Sequence, residues 1–145
     1  MTQAATAHSG EKLLYTGKAR VTGGRDHGVA RSSDGELEVK FSPPGSGRPG
    51  TNPEQMLAAG WSACFEGALG LAARKRRIKL PADPTIDAEV DLNLGDEGYF
   101  LRARLNVSMP GLERGDALAL LKEAHETCPY SKALSPSIDV EVNLI

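Results

Sequence analysis

In residues 55–73 the only charged side chain is Glu66; the rest is mainly Ala, Gly and larger apolar residues, with Gln55 and Ser62 as minor polar exceptions. Immediately before it, Thr51 or Asn52 can cap a helix, Pro53 suits the first turn, and Glu54 places a carboxylate against the positive end of the helix dipole. The stretch therefore reads as a helix beginning near residue 52, with almost no face suited to water. Such a helix must be covered, and its small side chains let other elements approach closely. Its length would span a bilayer, but Glu66, Gln55, Ser62 and the glycines at 60, 67 and 70 keep it well short of a Leu/Ile-rich membrane span. We expect the central buried helix of a water-soluble fold, with no membrane partner.

A chain of 145 residues, 40% apolar, suits one domain, here residues 11–145. Residues 1–10 have no apolar segment and read as a frayed tail rather than a secretory signal. With a net charge of −2, and with the basic run Arg74-Lys75-Arg76-Arg77 followed by acidic strands, nucleic acid is not an expected partner. The basic run instead suits a solvated helix C-terminus, and the expected compartment is the cytoplasm.

Around the helix the pattern is that of strands. Residues 11–21 form an expected first strand, ending at Gly23-Gly24 and a turn that presents Arg25. A second strand covers 29–32, and Asp34-Gly35 turns into the alternating residues 36–41, whose Leu37, Val39 and Phe41 face inward. Three prolines and three glycines in residues 42–50 make a loop. Two alternating runs, Ile86 to Leu94 and Tyr99 to Val107, flank a turn and form a hairpin whose acidic residues meet Arg102 and Arg104. Leu118, Leu121, His125 and Cys128 share one face of a second helix, which Pro129 breaks, leaving Cys128 exposed at a helix end; residues 138–144 close the chain as a strand. The expected class is α+β, with antiparallel sheets packed around the central helix.

The two cysteines lie on the two helices. Cys64 can be a small core hydrophobe, whereas Cys128 beside a helix break is a less natural filler. A metal site using both with His125 and Glu126 lacks any CxxC or paired-histidine spacing, so no metal is expected. His125 itself reads as a packed or capping side chain. A redox pair is a further possibility, and it requires the two thiols to meet in space.

Several motifs together, Tyr15-Thr16, Gly23-Gly-Arg-Asp26, Ser32-Ser-Asp-Gly35, Thr51-Asn-Pro-Glu-Gln55, Ala58-Ala-Gly-Trp-Ser-Ala-Cys-Phe65 and His125-Glu-Thr-Cys-Pro-Tyr-Ser131, resemble those of the Ohr (organic hydroperoxide resistance) branch of the OsmC/Ohr family. The resemblance runs from about residue 13 to residue 145. It implies an intertwined α+β homodimer with active sites at the subunit interface. It also implies that Cys64 is the peroxidatic cysteine, Cys128 the resolving cysteine, Arg25 the cation beside the thiolate and Glu54 the carboxylate holding Arg25. No bound cofactor is implied; the reductant would be dihydrolipoamide or a lipoylated protein. His27 departs from the family pattern, which more usually has glycine directly after the aspartate.

Those roles set physical requirements. Complete ionisation of an ordinary thiol gains at most about thirtyfold in rate, or ~2 kcal/mol, so a fast peroxidase also needs aligned peroxide oxygens and a fixed charge for the departing alkoxide. A depressed Cys64 pKa is expected. Phe65, Met56, Tyr130 and Trp61, together with loop 42–50, are expected to line an apolar approach that favours organic hydroperoxides over hydrogen peroxide. The rival classes are a lipid-binding module with incidental cysteines and a peroxide sensor that turns over poorly.

Overall fold

The computed structural model describes residues 10–145; the expected frayed tail therefore lies outside the described residues except for Gly10, an exposed turn residue. The chain is described as two compact units, with the boundary between Thr51 and Asn52.

The first unit is a three-stranded antiparallel sheet in the order β1-β2-β3: β1 Ala19–Thr22, β2 Val29–Ser32 and β3 Glu38–Lys40. A single helical turn, α1 Gly24–His27, joins β1 to β2. β1 starts later than the alternation suggested, at Ala19. Glycine is obligatory around α1, since Gly23 and Gly24 have φ of 84° and 68°, and a Cβ on Gly28 would lie 2.1 Å from the Gly24 carbonyl oxygen. His27 is accommodated as the last residue of this turn, with an exposed side chain. Three strands this short bury little of their own, chiefly Ala30, Phe41 and Ser42.

The second unit is built on α2, Pro53–Lys75. Asn52 caps it, its Oδ1 accepting from the Gln55 N–H at 2.8 Å, and Pro53 opens the first turn as expected. The helix stops at the basic run, where Arg77 turns out of it with φ 56° and Arg76 pairs with Glu123 at 3.2 Å. That confirms a helix-end role for the run. β4 Thr85–Gly95 and β5 Gly98–Ser108 form the expected hairpin, with Ile86 opposite Val107 and Gly95 opposite Gly98. On its outer face Arg104 grips Asp91 through both Nη atoms at 2.8 and 2.7 Å, and Arg102 stacks over Phe100. β6 Asp139–Leu144 joins β5 in parallel, so this sheet is not wholly antiparallel. Alternation alone is the same for either direction.

α3 Arg114–Thr127 and the short α4 Pro129–Leu134 complete the unit. Trp61, Phe65, Leu69 and Ala72 of α2 pack with Leu105 and Val107 of β5 and with Ala117, Leu120, Leu121, Ala124 and Cys128. The buried face of α3 is thus rotated from the one expected: Leu118 is exposed, and the small residues Ala117 and Ala124 face the core, where two helices come close. By length and composition α2 could cross a membrane; here one face of it is the core of this unit. Its other face carries Ala59, Ala63, Glu66, Gly67 and Leu71, all exposed. The hairpin end likewise leaves Leu94 and Tyr99 in solvent.

Candidate active site

Cys128 stands at the junction of α3 and α4, ending one and beginning the other with φ −61° and ψ 122°. Pro129 follows and supplies no N–H, so α3 cannot continue. The break is as expected, but its consequence is opposite: Cys128 is fully buried, because the junction folds inward against α2 rather than outward to water. Cys64, midway along α2, is the partly exposed cysteine. Both are free thiols, Cys64 packs against the buried cluster that contains Cys128, and the two are near enough for each to affect the other's ionisation. The meeting that a redox pair requires is therefore present.

A third group completes the cluster. Tyr130 is in the first turn of α4, and its backbone N–H lies near enough to the Cys64 thiol to favour its charged form. Its ring packs over α2 at Gly60, where a Cβ would come within 3.0 Å of the hydroxyl oxygen. One residue on, Ser131 Oγ accepts a 3.0 Å hydrogen bond from Trp61 Nε1, and both partners are 0% exposed.

Burial pushes the Cys64 thiol above its ordinary pKa, the Tyr130 N–H opposes this, and the neighbouring Cys128 adds to the rise. The groups that touch Cys64 here therefore raise its pKa, contrary to the depressed value expected.

The remaining expected site residues fall in three places. Arg25 is an exposed side chain of α1, whose turn is tied to loop 42–50 by Arg48 Nη2 donating to the Asp26 carbonyl at 2.9 Å. Glu54 is in the first turn of α2 and half-buried. Met56 is half-buried on the same helix, and Tyr130 is exposed. Trp61 and Phe65, expected to line the substrate approach, are instead wholly buried core residues, because they lie on the α2 face packed against β5 and α3. His125 sits in a groove with Leu118, Leu121 and Val142, its Nδ1 buried without a hydrogen-bond partner. Among the described residues no three His, Cys, Asp or Glu side chains cluster as a metal site. What sequence reasoning missed was the part of Ser131, which closes the motif His125 to Ser131 but was given no role there.

The model of the OsmC-like protein family matches residues 43–143. This chain belongs to the OsmC/Ohr family. It is 42% identical over 140 residues to the organic hydroperoxide resistance protein of Xanthomonas axonopodis pv. citri, covering 94% of this chain and 98% of that one. It is 40% identical over 136 residues to the organic hydroperoxide resistance protein OhrA of Bacillus subtilis, covering 90% and 96%. The crystal structure of OhrB from Bacillus subtilis superposes with a TM-score of 0.85 at 38% identity, covering 92% of this chain and 100% of that one. The OsmC/Ohr fold is thereby established for this chain.

Proposed function

We propose that this chain reduces organic hydroperoxides to alcohols through a Cys64 sulfenic acid and a Cys64–Cys128 disulfide. Identity of about 40% with named organic hydroperoxide resistance proteins, over most of both chains, makes it an enzyme of organic hydroperoxide detoxification. The two-thiol route is supported by one observation above others: the partly exposed Cys64 lies beside the buried Cys128.

The Cys64 thiolate attacks one peroxide oxygen, the O–O bond breaks, and the alkoxide leaves to be protonated as the alcohol. Cys64 is then a sulfenic acid. Cys128 attacks its sulfur as thiolate, the S–O bond breaks, and the hydroxide takes a proton to leave as water. Burial of Cys128 suits this division of labour, since the inner thiol is shielded from peroxide and reserved for the oxidised partner. Arg25 supplies the activating positive charge and Glu54 orients its guanidinium, roles carried from the family motifs and in keeping with a cluster that cannot lower the thiol pKa by itself. Met56 and Tyr130 form the apolar approach. The disulfide is returned to thiols by dihydrolipoamide or a lipoylated protein, and no cofactor is bound.

The working unit is a homodimer in the cytoplasm. Support comes from the exposed face of α2, which carries the single charge Glu66 and where Leu71 is 62% exposed, and from the hairpin end, where Leu94 is 71% exposed. A second copy would cover both.

Consumption of an alkyl hydroperoxide with dihydrolipoamide tests this reading. The intact enzyme turns over, Cys64→Ser is inactive, and Cys128→Ser stops after one turnover with this dithiol. Undiminished turnover by Cys64→Ser rejects the assignment.

A further inference from the structure

Trp61 and Cys64 are three residues apart on α2, and Ser131 and Cys128 are three residues apart across the start of α4. The two helices are therefore bridged by two adjacent rungs, about one helical turn apart. One is the thiol pair. The other is the buried Trp61 Nε1–Ser131 Oγ hydrogen bond.

α4 has little of its own to hold it in place. It is six residues long, Cys128 contributes no side-chain cap, and Pro129 has no N–H. The first-turn N–H of Tyr130 lies near the Cys64 thiol, a group that changes when its sulfur is oxidised. The Trp61–Ser131 rung involves no reacting atom, so it survives the oxidation step unchanged. Its burial also removes competition from water.

We propose that Trp61 and Ser131 are positioning residues for the second chemical step. Their hydrogen bond keeps the start of α4 seated while Cys64 is a sulfenic acid, and so sets how quickly the Cys128 sulfur reaches it. The inference rests on the two-cysteine mechanism above. Its functional consequence is protection: slower disulfide formation gives a second peroxide molecule time to carry Cys64 to the sulfinic acid, which small dithiols do not reverse.

The test uses Trp61→Phe, Ser131→Ala and the double variant in the intact protein, with the steps separated by rapid mixing with an alkyl hydroperoxide. The rate of sulfenic acid formation should stay within about twofold of the parent. Disulfide formation should slow roughly fivefold, the loss expected for one buried hydrogen bond, and the sulfinic fraction of Cys64 at excess peroxide should rise in step. The double variant should behave like either single one, since both remove the same bond. Equal slowing of both steps, additive losses, or unchanged partition to sulfinic acid would overturn the proposal. If Trp61→Phe does not fold, Ser131→Ala decides alone, being the smaller change. Failure of the underlying mechanism looks different, as the parent protein would then form no Cys64–Cys128 disulfide.

Discussion

The Tyr130 backbone N–H favours the thiolate of the neighbouring Cys64, yet burial and the adjacent Cys128 outweigh it and hold that thiol above its ordinary pKa. Two opposite shifts follow. Replacing Cys128 with alanine removes one of the raising causes, so the Cys64 pKa should fall. Arg25→Ala removes the proposed activating charge, so it should rise. Thiolate absorbance against pH measures both in proteins that otherwise match. Because the rate of oxidation follows the thiolate fraction, it should climb with pH up to the Cys64 pKa and level off above it. No shift in Arg25→Ala would remove Arg25 from the mechanism.

If Glu54 acts by orienting Arg25, the two residues form one functional unit. Arg25→Ala and Glu54→Ala should each slow the oxidation step at least tenfold, on the order of a charge-assisted pair, and the double variant should be little slower than the worse single one. Single-turnover kinetics with an alkyl hydroperoxide would show this. Additive losses mean that the residues act separately.

Substrate preference should follow methylene burial. At ~0.8 kcal/mol for each buried CH₂, three or four methylenes favour an alkyl hydroperoxide over hydrogen peroxide by roughly a hundredfold in kcat/KM. The advantage should grow with chain length until the approach is full. Equal kcat/KM for hydrogen peroxide, measured with the same reductant, would rule out an apolar approach.

The exposed Leu71 of α2 makes dimerisation testable. Leu71→Glu alters no packed side chain in the single chain, so the monomer should fold normally. Sedimentation should report a dimer for the parent and a shift toward monomer for the variant. A parent that sediments as a monomer contradicts the assembly.

Much of the fold was legible because its signals are local. Asn52 and Pro53 mark the start of α2 by capping chemistry, and strict alternation on both sides of Gly95 and Gly98 marks the β4–β5 hairpin. What was not legible depends on partners distant in sequence. The parallel pairing of β6 with β5 leaves no local trace, and Leu118 outranks Ala117 in apolarity although only Ala117 fits the close packing of α3 on α2. The same is true of the site. Cysteine, arginine and glutamate in family motifs drew attention to Cys64, Cys128, Arg25 and Glu54, but the burial of Cys128 and the part played by Ser131 depend on how α4 folds back onto α2.

The central claim is that Cys64 and Cys128 form a disulfide within one chain as the product of peroxide reduction. Treating the reduced protein with one equivalent of an alkyl hydroperoxide, digesting it without reductant and mapping the peptides by mass spectrometry tests that claim directly. The account predicts a Cys64–Cys128 linked peptide pair within each chain, lost on treatment with dihydrolipoamide. A Cys64–Cys64 bridge between chains, or Cys64 sulfinic acid with Cys128 still free to alkylate, would contradict it.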